Sequence, residues 1–247
     1  MMNALASGAI RCAGLPRIEV PPGCIAMDTH IHSAFSSCST SPVERIILRA
    51  AEMGLKAISI MDHNDIQSAR AAVACADDLK RRKLIPEEFL IIPGMEISFG
   101  GGHIGALFVY EPIPRKLGVG ETVKRIHDAG GLAVAVHPCL RSGVRDALFD
   151  APFDALEAES GSVLTLTTAE RGYKVFSDER LKHMARLGSS DAHYVAAVGM
   201  CYTTVEVSDI SLDSIHTALT NGHTSAHVTP TCLRFRKLLS RIPLASR

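Results

Sequence analysis

The chain has 247 residues, of which 47% are hydrophobic and 21% charged, and its formal net charge is zero. This length and composition indicate one large α/β domain or two small ones, and the neutral balance excludes a global field that would attract nucleic acid or an acidic membrane. Tryptophan is absent and aromatic residues make up 5%, which disfavours a stacking platform for single-stranded nucleic acid.

The cysteines indicate a reducing compartment. They are odd in number and form no C-x-x-C pair, standing singly at positions 12, 24, 38, 75, 139, 201 and 232. Scattered cysteines are a poor disulfide framework, so we predict a cytoplasmic protein. No apolar run approaches the roughly 20 residues of a membrane span. Residues 1–24 are predicted to be an N-terminal extension without a secretory signal.

Strands and helices alternate along the chain. Strands are predicted, in order, at 24–27, 57–61, 90–98, 103–109, 132–136, 153–159 and 187–190, with a further strand at 203–207. Helices are predicted at 42–53, from about 65 to 83, at 122–129, from about 168 to 185 and at 212–221. Alternation of this kind is typical of parallel βα units. About seven such strands would suit a closed or distorted barrel over residues 25–225, followed by a tail at 226–247 without a site signal.

Ionisable residues follow the C-terminal ends of these strands, where chemistry gathers in parallel α/β folds. His30-x-His32 is a weak metal motif alone, but it places two imidazoles on one side of a strand. The repetition around the sheet is the stronger signal, and its members are His30, His32, Asp62, His63, Glu96, His137, Glu157, Glu159, Asp191 and His193. Glu157 and Glu159 share strand parity, so one of them could face the site. Mixed nitrogen and oxygen donors favour Zn, Mn or Fe over Ca.

Six short motifs resemble the PHP (polymerase and histidinol phosphatase) family in content and order. They are Asp28-Thr29-His30-Ile31-His32-Ser33, Met61-Asp62-His63-Asn64, Pro93-Gly94-Met95-Glu96-Ile97, His103-Ile104, Val136-His137-Pro138 and Ser190-Asp191-Ala192-His193. The resemblance implies an α/β fold, a distorted (β/α)7 barrel of the TIM-like kind, with a metal site at the C-terminal ends of the strands. It also implies phosphoesterase chemistry.

Carried over residue by residue, the resemblance implies two or three divalent metal ions. The first would be held by His30, His32, Glu96 and Asp191. The second would share Glu96 and add His103 and His137. The third would take His63 and His193. Asp28 and Asp62 would orient imidazoles through their other ring nitrogen.

Cys38 is the one departure from the family pattern. Many members carry a histidine at this position of the loop, as a ligand of the third metal. A thiolate can bind Zn or Fe, so Cys38 is a candidate ligand, and the third site would prefer a softer metal, be weak or be empty.

The expected activity is hydrolysis of a phosphomonoester or nucleotide-type phosphoester by a metal-activated hydroxide. Asp191 or His193 could protonate the leaving alcohol, and Arg141 and Arg145 are the best-placed cations for the phosphate. The expected partner is a small phosphorylated substrate or a short oligonucleotide, with no membrane and no stable nucleic-acid partner. Two alternatives stay open: an amidohydrolase-like metal hydrolase, against which no lysine ends a strand, and a non-catalytic metal-binding regulatory module.

Overall fold

The computed structural model describes residues 17–241. Residues 1–16 of the predicted extension and residues 242–247 of the predicted tail lie outside this range. Ten strands are present within it: β1 (Cys24–Ile31), β2 (Ala57–Ile60), β3 (Leu90–Ile91), β4 (Gly94–Phe99), β5 (Gly102–Leu107), β6 (Leu132–Ala135), β7 (Ala155–Ser160), β8 (Ala185–Ser189), β9 (Cys201–Glu206) and β10 (Thr224–Val228). Six α-helices accompany them: α1 (Val43–Met53), α2 (Gln67–Arg81), α3 (Val119–Asp128), α4 (Leu166–Phe176), α5 (Leu212–Thr220) and α6 (Pro230–Leu239).

The strands form two five-stranded mixed sheets, in the orders β10-β9-β1-β2-β3 and β4-β5-β6-β7-β8. The pairs β1–β2, β2–β3, β6–β7 and β7–β8 are parallel, whereas β4–β5, β5–β6, β1–β9 and β9–β10 are antiparallel. Isolated bridges join Ile31 to Ala192 and His63 to Glu96, so the sheets meet beyond the ends of β1 and β2. The predicted α/β class is confirmed.

The predicted (β/α)7 barrel is not confirmed, because the two sheets of the described residues do not close into one barrel. Two local features explain the difference. Pro93 has no N–H to donate, and the predicted strand 90–98 divides there, with β3 in one sheet and β4 in the other. The turn at Gly100 and Gly101 then reverses the chain, so β4 and β5 pair as an antiparallel hairpin rather than as two parallel strands.

The remaining elements follow the sequence pattern with shifted ends. Helix α1 stops at Gly54, as predicted. Gly54 has a φ of 89°, a conformation that favours glycine, and the Gly54 N–H is directed at the carbonyl oxygens of Ala50 and Ala51. The helix predicted to reach about residue 185 ends at Phe176, and a short 3-10 helix at Glu179–Leu181 follows. The predicted domain boundary at residue 225 falls inside β10, and α6 follows that strand.

Buried apolar side chains form three clusters around the sheets. The first packs α1 and α2 against β1 and β2, and the second packs α3 against β4 to β7. The third joins residues of both sheets, with Met27, Met61 and Leu187 fully buried. These clusters hold the strand ends in place, which fixes the residues that follow them. Within residues 17–241, no helix has the length and apolar character needed to cross a membrane.

Candidate metal centre

Two imidazoles converge at the end of β1. His30 is the penultimate residue of the strand, and His32 follows its last residue; their side chains are 0% and 1% exposed. The His32 N–H donates to the carbonyl oxygen of Ala192 at 2.9 Å, which ties this strand end to the residue after Asp191. The two Nε2 atoms are 3.1 Å apart. Both nitrogens therefore point into one small space.

Glu96 on β4 lies at the middle of this space, and its carboxylate is fully buried. Its Oε1 is 3.0 Å from Nδ1 of His103 and 3.2 Å from Nε2 of His137. Its Oε2 is 2.8 Å from Nδ1 of His63 and 3.4 Å from Nε2 of His32. A carboxylate with imidazoles at both oxygens has the arrangement that a ligand shared by two cations requires.

Asp191 closes the other side of the space. Its Oδ1 lies 3.1 Å from Nε2 of His32 and 3.5 Å from Nε2 of His30. Its second oxygen, Oδ2, accepts a hydrogen bond from the Ser162 hydroxyl. Asp191 has a φ of 47° and His137 a φ of 31°, both in the left-handed region. Non-glycine residues hold this conformation only where the surroundings impose it, a feature common at functional sites.

Several polar atoms here make no well-aligned hydrogen bond within the described residues. Twelve buried side-chain nitrogen or oxygen atoms in residues 17–241 form no hydrogen bond, and five of them belong to this cluster: His32 Nδ1, His63 Nδ1, Glu96 Oε2, His137 Nδ1 and Asp191 Oδ1. Some of them lie close together, as His63 Nδ1 and Glu96 Oε2 do at 2.8 Å, but without the alignment that a hydrogen bond needs. Leaving such atoms unpaired is costly, so their concentration at one place calls for an additional group. Imidazole nitrogens and carboxylate oxygens are the donors that Zn, Mn and Fe use, so the residues present fit divalent cations.

The candidate ligands form four overlapping groups of three residues. Within each group, the three donor atoms lie within 4.8 Å of one another. The groups are His30, His32 and Asp191; His30, Glu96 and His137; His32, His63 and Glu96; and His32, Cys38 and His193. The structure thus brings together all of the ligands expected from the family resemblance. It groups them differently from the predicted sets, because His30 and His32 each belong to more than one group. His103 belongs to none of the four, although its Nδ1 contacts Glu96 and its ring centroid lies 4.7 Å from that of His63.

Cys38 lies at the exposed edge of the cluster. Ser39, the next residue, has its hydroxyl 3.1 Å from the carbonyl oxygen of His32 and 2.9 Å from that of His193. These contacts fix the loop so that the Cys38 thiol lies beside both imidazoles. Burial opposes ionisation, but a hydrogen bond from His32 and its nearby charge lower the pKa of the Cys38 thiol. A partly exposed thiol with a lowered pKa has the character of a metal ligand.

Glu157 supports two of the ligands from behind. Its Oε1 lies 2.8 Å from Nδ1 of His30, and its Oε2 accepts the backbone N–H of His137 at 2.7 Å. With Nδ1 of His30 hydrogen-bonded to Glu157, the lone pair of Nε2 remains available to bind a metal ion. Glu159 does not share this face, because the β7–β8 register shifts between the two glutamates; it contacts Tyr173 and Arg236 instead. Strand parity alone made both glutamates candidates for the site, and the register shift is what separates their side chains.

The two aspartates expected to orient imidazoles have different partners. The Asp28 carboxylate accepts backbone N–H groups, from Ser190 and Gly199 at 2.9 Å each, and contacts no imidazole in the described residues. It therefore ties the middle of β1 to the residue that follows β8. Its complete burial raises the pKa of Asp28 to about 6. Asp62 lies nearer to its expected position, with Oδ1 3.8 Å from Nδ1 of His32, while it accepts hydrogen bonds from the backbone and hydroxyl of Ser33.

Arg141 and Arg145 lie on the loop that follows His137, and both are exposed. Within residues 17–241 neither guanidinium makes a hydrogen bond or an ion pair. The same loop touches the centre, because the Ser142 carbonyl oxygen accepts the His103 N–H at 2.8 Å. Both arginines therefore lie on the segment after His137 and outside the cluster.

The charges of the cluster are strongly coupled. Burial opposes protonation of His30, but the carboxylates of Asp191, Glu157 and Glu96 outweigh it and raise the His30 pKa well above its usual value. Against the same opposition, hydrogen bonds with Asp191 and Asp62 raise the pKa of His32 to about 12. Burial alone would raise the pKa values of Glu96 and Asp191, but the neighbouring imidazoles outweigh it, and both pKa values are lowered. The carboxylates therefore attract any cation to this site, whether proton or metal.

His193 behaves differently from the inner histidines. Its Nδ1 lies 2.9 Å from the backbone oxygen of Asp191, so Nδ1 carries the proton and donates it there. The side chain is partly exposed, and burial lowers the pKa of His193. A neutral imidazole with a defined tautomer can exchange a proton at Nε2.

Two curated proteins are similar to this chain in sequence. Among curated proteins, the uncharacterized protein MJ1587 of Methanocaldococcus jannaschii is 31% identical over 142 residues, covering 53% of this chain and 78% of that protein. The uncharacterized protein MJ0417 of the same organism is 24% identical over 199 residues, covering 76% of this chain and 72% of that protein.

Two solved structures show the same fold. A two-domain protein containing a predicted PHP-like metal-dependent phosphoesterase from Bacteroides vulgatus has a TM-score of 0.67 at 20% identity, over 88% of this chain and 70% of that chain. The lesion-specific endonuclease PfuEndoQ from Pyrococcus furiosus has a TM-score of 0.55 at 17% identity, over 82% of this chain and 57% of that chain.

Two family models complete the comparison. The model described as the PHP domain matches residues 28–181, and the model described as PHP-associated matches residues 180–224. Every motif that carried the resemblance begins within these two ranges. The match to the PHP domain alone spans more than half of the 247 residues of this chain, and the chain therefore belongs to the PHP-domain family.

Proposed function

We propose that this protein is a metal-dependent phosphoesterase that hydrolyses a small phosphomonoester or a nucleotide-type phosphoester. One observation carries the proposal: five of the twelve buried polar atoms that form no hydrogen bond in residues 17–241 lie in the cluster around the Glu96 carboxylate. Family membership supports the same reaction class. The chemistry of the donor set, all imidazole and carboxylate apart from one thiol, supports divalent Zn, Mn or Fe as the cofactor.

Three sets of residues would hold the cations. His30, His32, Glu96 and Asp191 would hold one, Glu96 with His103 and His137 a second, and His63 and His193 with Cys38 a third at the exposed edge. When bound, two or three divalent cations supply positive charge for the phosphoryl oxygens and make water a nucleophile near neutral pH. Glu157 would keep the Nε2 atom of His30 available, and the Ser162 hydroxyl would orient Asp191 through the oxygen opposite the imidazoles.

Proton transfer to the leaving alcohol would fall to His193 when no third cation occupies its Nε2 atom. Asp191 was the other candidate, but its pKa is lowered, so it remains an anion and is suited to binding cations. His193 holds its Nδ1 proton on the Asp191 backbone and keeps Nε2 available at the exposed side. A histidine can therefore take a proton from solvent there and pass it to an alkoxide in the site.

The two exposed arginines would bind the substrate anion. Arg141 and Arg145 have no acidic partner in the described residues, and their loop is anchored to His103 by the Ser142 carbonyl. A phosphate placed over the centre would meet these guanidinium groups at its rim. Arginine binds phosphate with two parallel hydrogen bonds, which would orient the ester bond.

Turnover with model esters tests the proposal. Hydrolysis of p-nitrophenyl phosphate and of bis-p-nitrophenyl phosphate is measured after loading with Mn, Zn or Fe, beside His30→Ala and Asp191→Ala. His127→Ala serves as the matched control, since this histidine is on α3 and pairs with Asp154. We expect turnover in the wild type and the control and its loss in the other two variants. Metal-loaded protein that cleaves neither ester, nor any member of a phosphometabolite panel, would contradict the proposal.

A further inference from the structure

Two buried thiols lie together away from the metal centre, where α6 meets the sheet. Cys201 is the first residue of β9 and Cys232 lies in the first turn of α6; they are 0% and 2% exposed. Their sulfur atoms are 3.9 Å apart. Neither thiol belongs to the groups of candidate metal ligands.

The backbone is anchored immediately beside both cysteines. Cys201 pairs with Val228 in the β9–β10 ladder. The next residue, Thr229, places its N–H and its hydroxyl each 2.9 Å from the carbonyl oxygen of Met200, and its hydroxyl also caps the Cys232 N–H at 3.3 Å. A disulfide requires sulfur atoms at about 2.05 Å, so the pair must close by roughly 2 Å through side-chain rotation.

A buried guanidinium faces the pair. Arg236 lies one helical turn after Cys232, is 2% exposed, and donates to the Cys201 sulfur at 3.7 Å. It also holds the Glu159 carboxylate at 2.7 Å and the Ser160 carbonyl oxygen at 2.7 Å. The hydrogen bond with Cys201, with the charge of Arg236 nearby, lowers the pKa of the Cys232 thiol. A cation beside a thiol and a position at a helix N-terminus both favour the reactive thiolate.

We propose that Cys201 and Cys232 are a redox-active dithiol that a hydroperoxide converts into a disulfide between β9 and α6. The Cys232 thiolate attacks hydrogen peroxide, an S–O bond forms, the O–O bond breaks, and the departing hydroxide takes a proton to become water. The Cys201 sulfur then attacks the sulfenic sulfur, the S–S bond forms, the S–O bond breaks, and the Cys201 thiol proton goes to the departing hydroxide, which leaves as a second water. The two sulfurs lose two electrons in total, and the peroxide gains them.

The disulfide would fasten the last described helix to the sheet. Cys232 and Arg236 both lie on α6, so a local opening of this helix would give a peroxide access to the pair. Once formed, the bond closes a loop of about 30 residues and is expected to raise the Tm by about 5–10 °C. It would also hold Arg236 on Glu159 and Ser160, which precede the loop that reaches Asp191 through Ser162.

Peptide mapping tests the proposal on the full chain. Zinc-loaded protein is treated with a small excess of hydrogen peroxide, its remaining thiols are alkylated, and it is digested without reductant. We expect a peptide pair joined through Cys201 and Cys232, two mass units lighter than the sum of its parts. We also expect a higher Tm that dithiothreitol reverses. Cys232→Ser should lose both effects, whereas Cys75→Ser, which changes a half-buried thiol on α2, should keep them.

Three results would overturn the proposal. They are the absence of the Cys201–Cys232 peptide from the oxidised wild type, its replacement by sulfinic or sulfonic acids at these residues, and formation of the bond with no rise in Tm. The wild-type map decides even if Cys232→Ser fails to fold. The assay contains no phosphoester, so its outcome is independent of the proposed activity.

Discussion

Raising the pH should destabilise the metal-free protein and stabilise the metal-loaded one. When no metal is bound, the carboxylates of Glu96, Asp191 and Glu157 are balanced by protons on the inner imidazoles. These carboxylates raise the pKa of His30 well above 6.5, and hydrogen bonds with Asp191 and Asp62 raise the pKa of His32 to about 12. The unfolded chain binds these protons with a pKa near 6.5. From that pH upward the native state holds more protons than the unfolded state, so its stability falls as the pH rises.

The magnitude follows from the number of protons retained. Each proton held by the native state alone costs about 1.4 kcal/mol of unfolding free energy per pH unit. For one such proton, the step from about pH 6.5 to about pH 8.5 removes about 3 kcal/mol, which lowers the Tm by about 5–10 °C in a chain of this size. Starting at about pH 6.5 avoids the titration of Asp28, whose raised pKa costs stability between its unfolded value of 3.8 and about 6.

Thermal unfolding of chelator-treated and zinc-loaded protein across this pH range is the assay. The loaded protein should gain stability as the pH rises, since metals bind neutral imidazoles and protons compete with them. Glu96→Gln removes the charge that five imidazoles surround, and it should flatten the slope of the metal-free protein. A metal-free Tm that stays constant or rises between about pH 6.5 and about pH 8.5 would refute this reasoning.

Three further predictions concern single side chains. Cys38→Ser should lower the metal content by one equivalent and abolish the thiolate-to-cobalt charge-transfer band of the Co(II)-loaded protein, which absorption spectroscopy records; an unchanged band would assign the thiolate elsewhere. Glu157→Gln keeps an acceptor for His30 but turns an amide towards the His137 N–H, and should weaken metal binding by about 10–100-fold in competition with a chelating dye. Arg141→Ala should raise KM about fivefold at little cost in kcat, because an exposed ion pair contributes about 1 kcal/mol; an equal loss in kcat would place this arginine at the reacting group.

The position of the candidate centre could be predicted because it depends on strand ends. His30 and His32 after β1, His63 after β2 and Asp191 after β8 each follow a short apolar strand. The C-terminal ends of neighbouring parallel strands lie at one edge, so side chains distant in sequence meet there. The bridges Ile31–Ala192 and His63–Glu96 are the contacts that this rule anticipates.

Features set by backbone irregularity could not be predicted. The register shift in β7 separates Glu157 from Glu159, which plain alternation places on one face. The left-handed φ angles of His137 and Asp191 arise from tertiary contacts rather than from local propensity. The glycines at 100–102 do predict the tight hairpin turn that joins β4 to β5, but the alternation of strands and helices along the rest of the chain favoured a closed barrel.

Anomalous diffraction from crystals of the zinc- or manganese-loaded protein tests the central claim most directly. We expect at least two anomalous peaks adjacent to the Glu96 carboxylate, in contact with the inner imidazoles and Asp191, and a further peak beside Cys38 and His193 if the third site fills. A loaded crystal with a single peak, or with peaks confined to other parts of the molecule, would contradict a multi-metal centre built around Glu96.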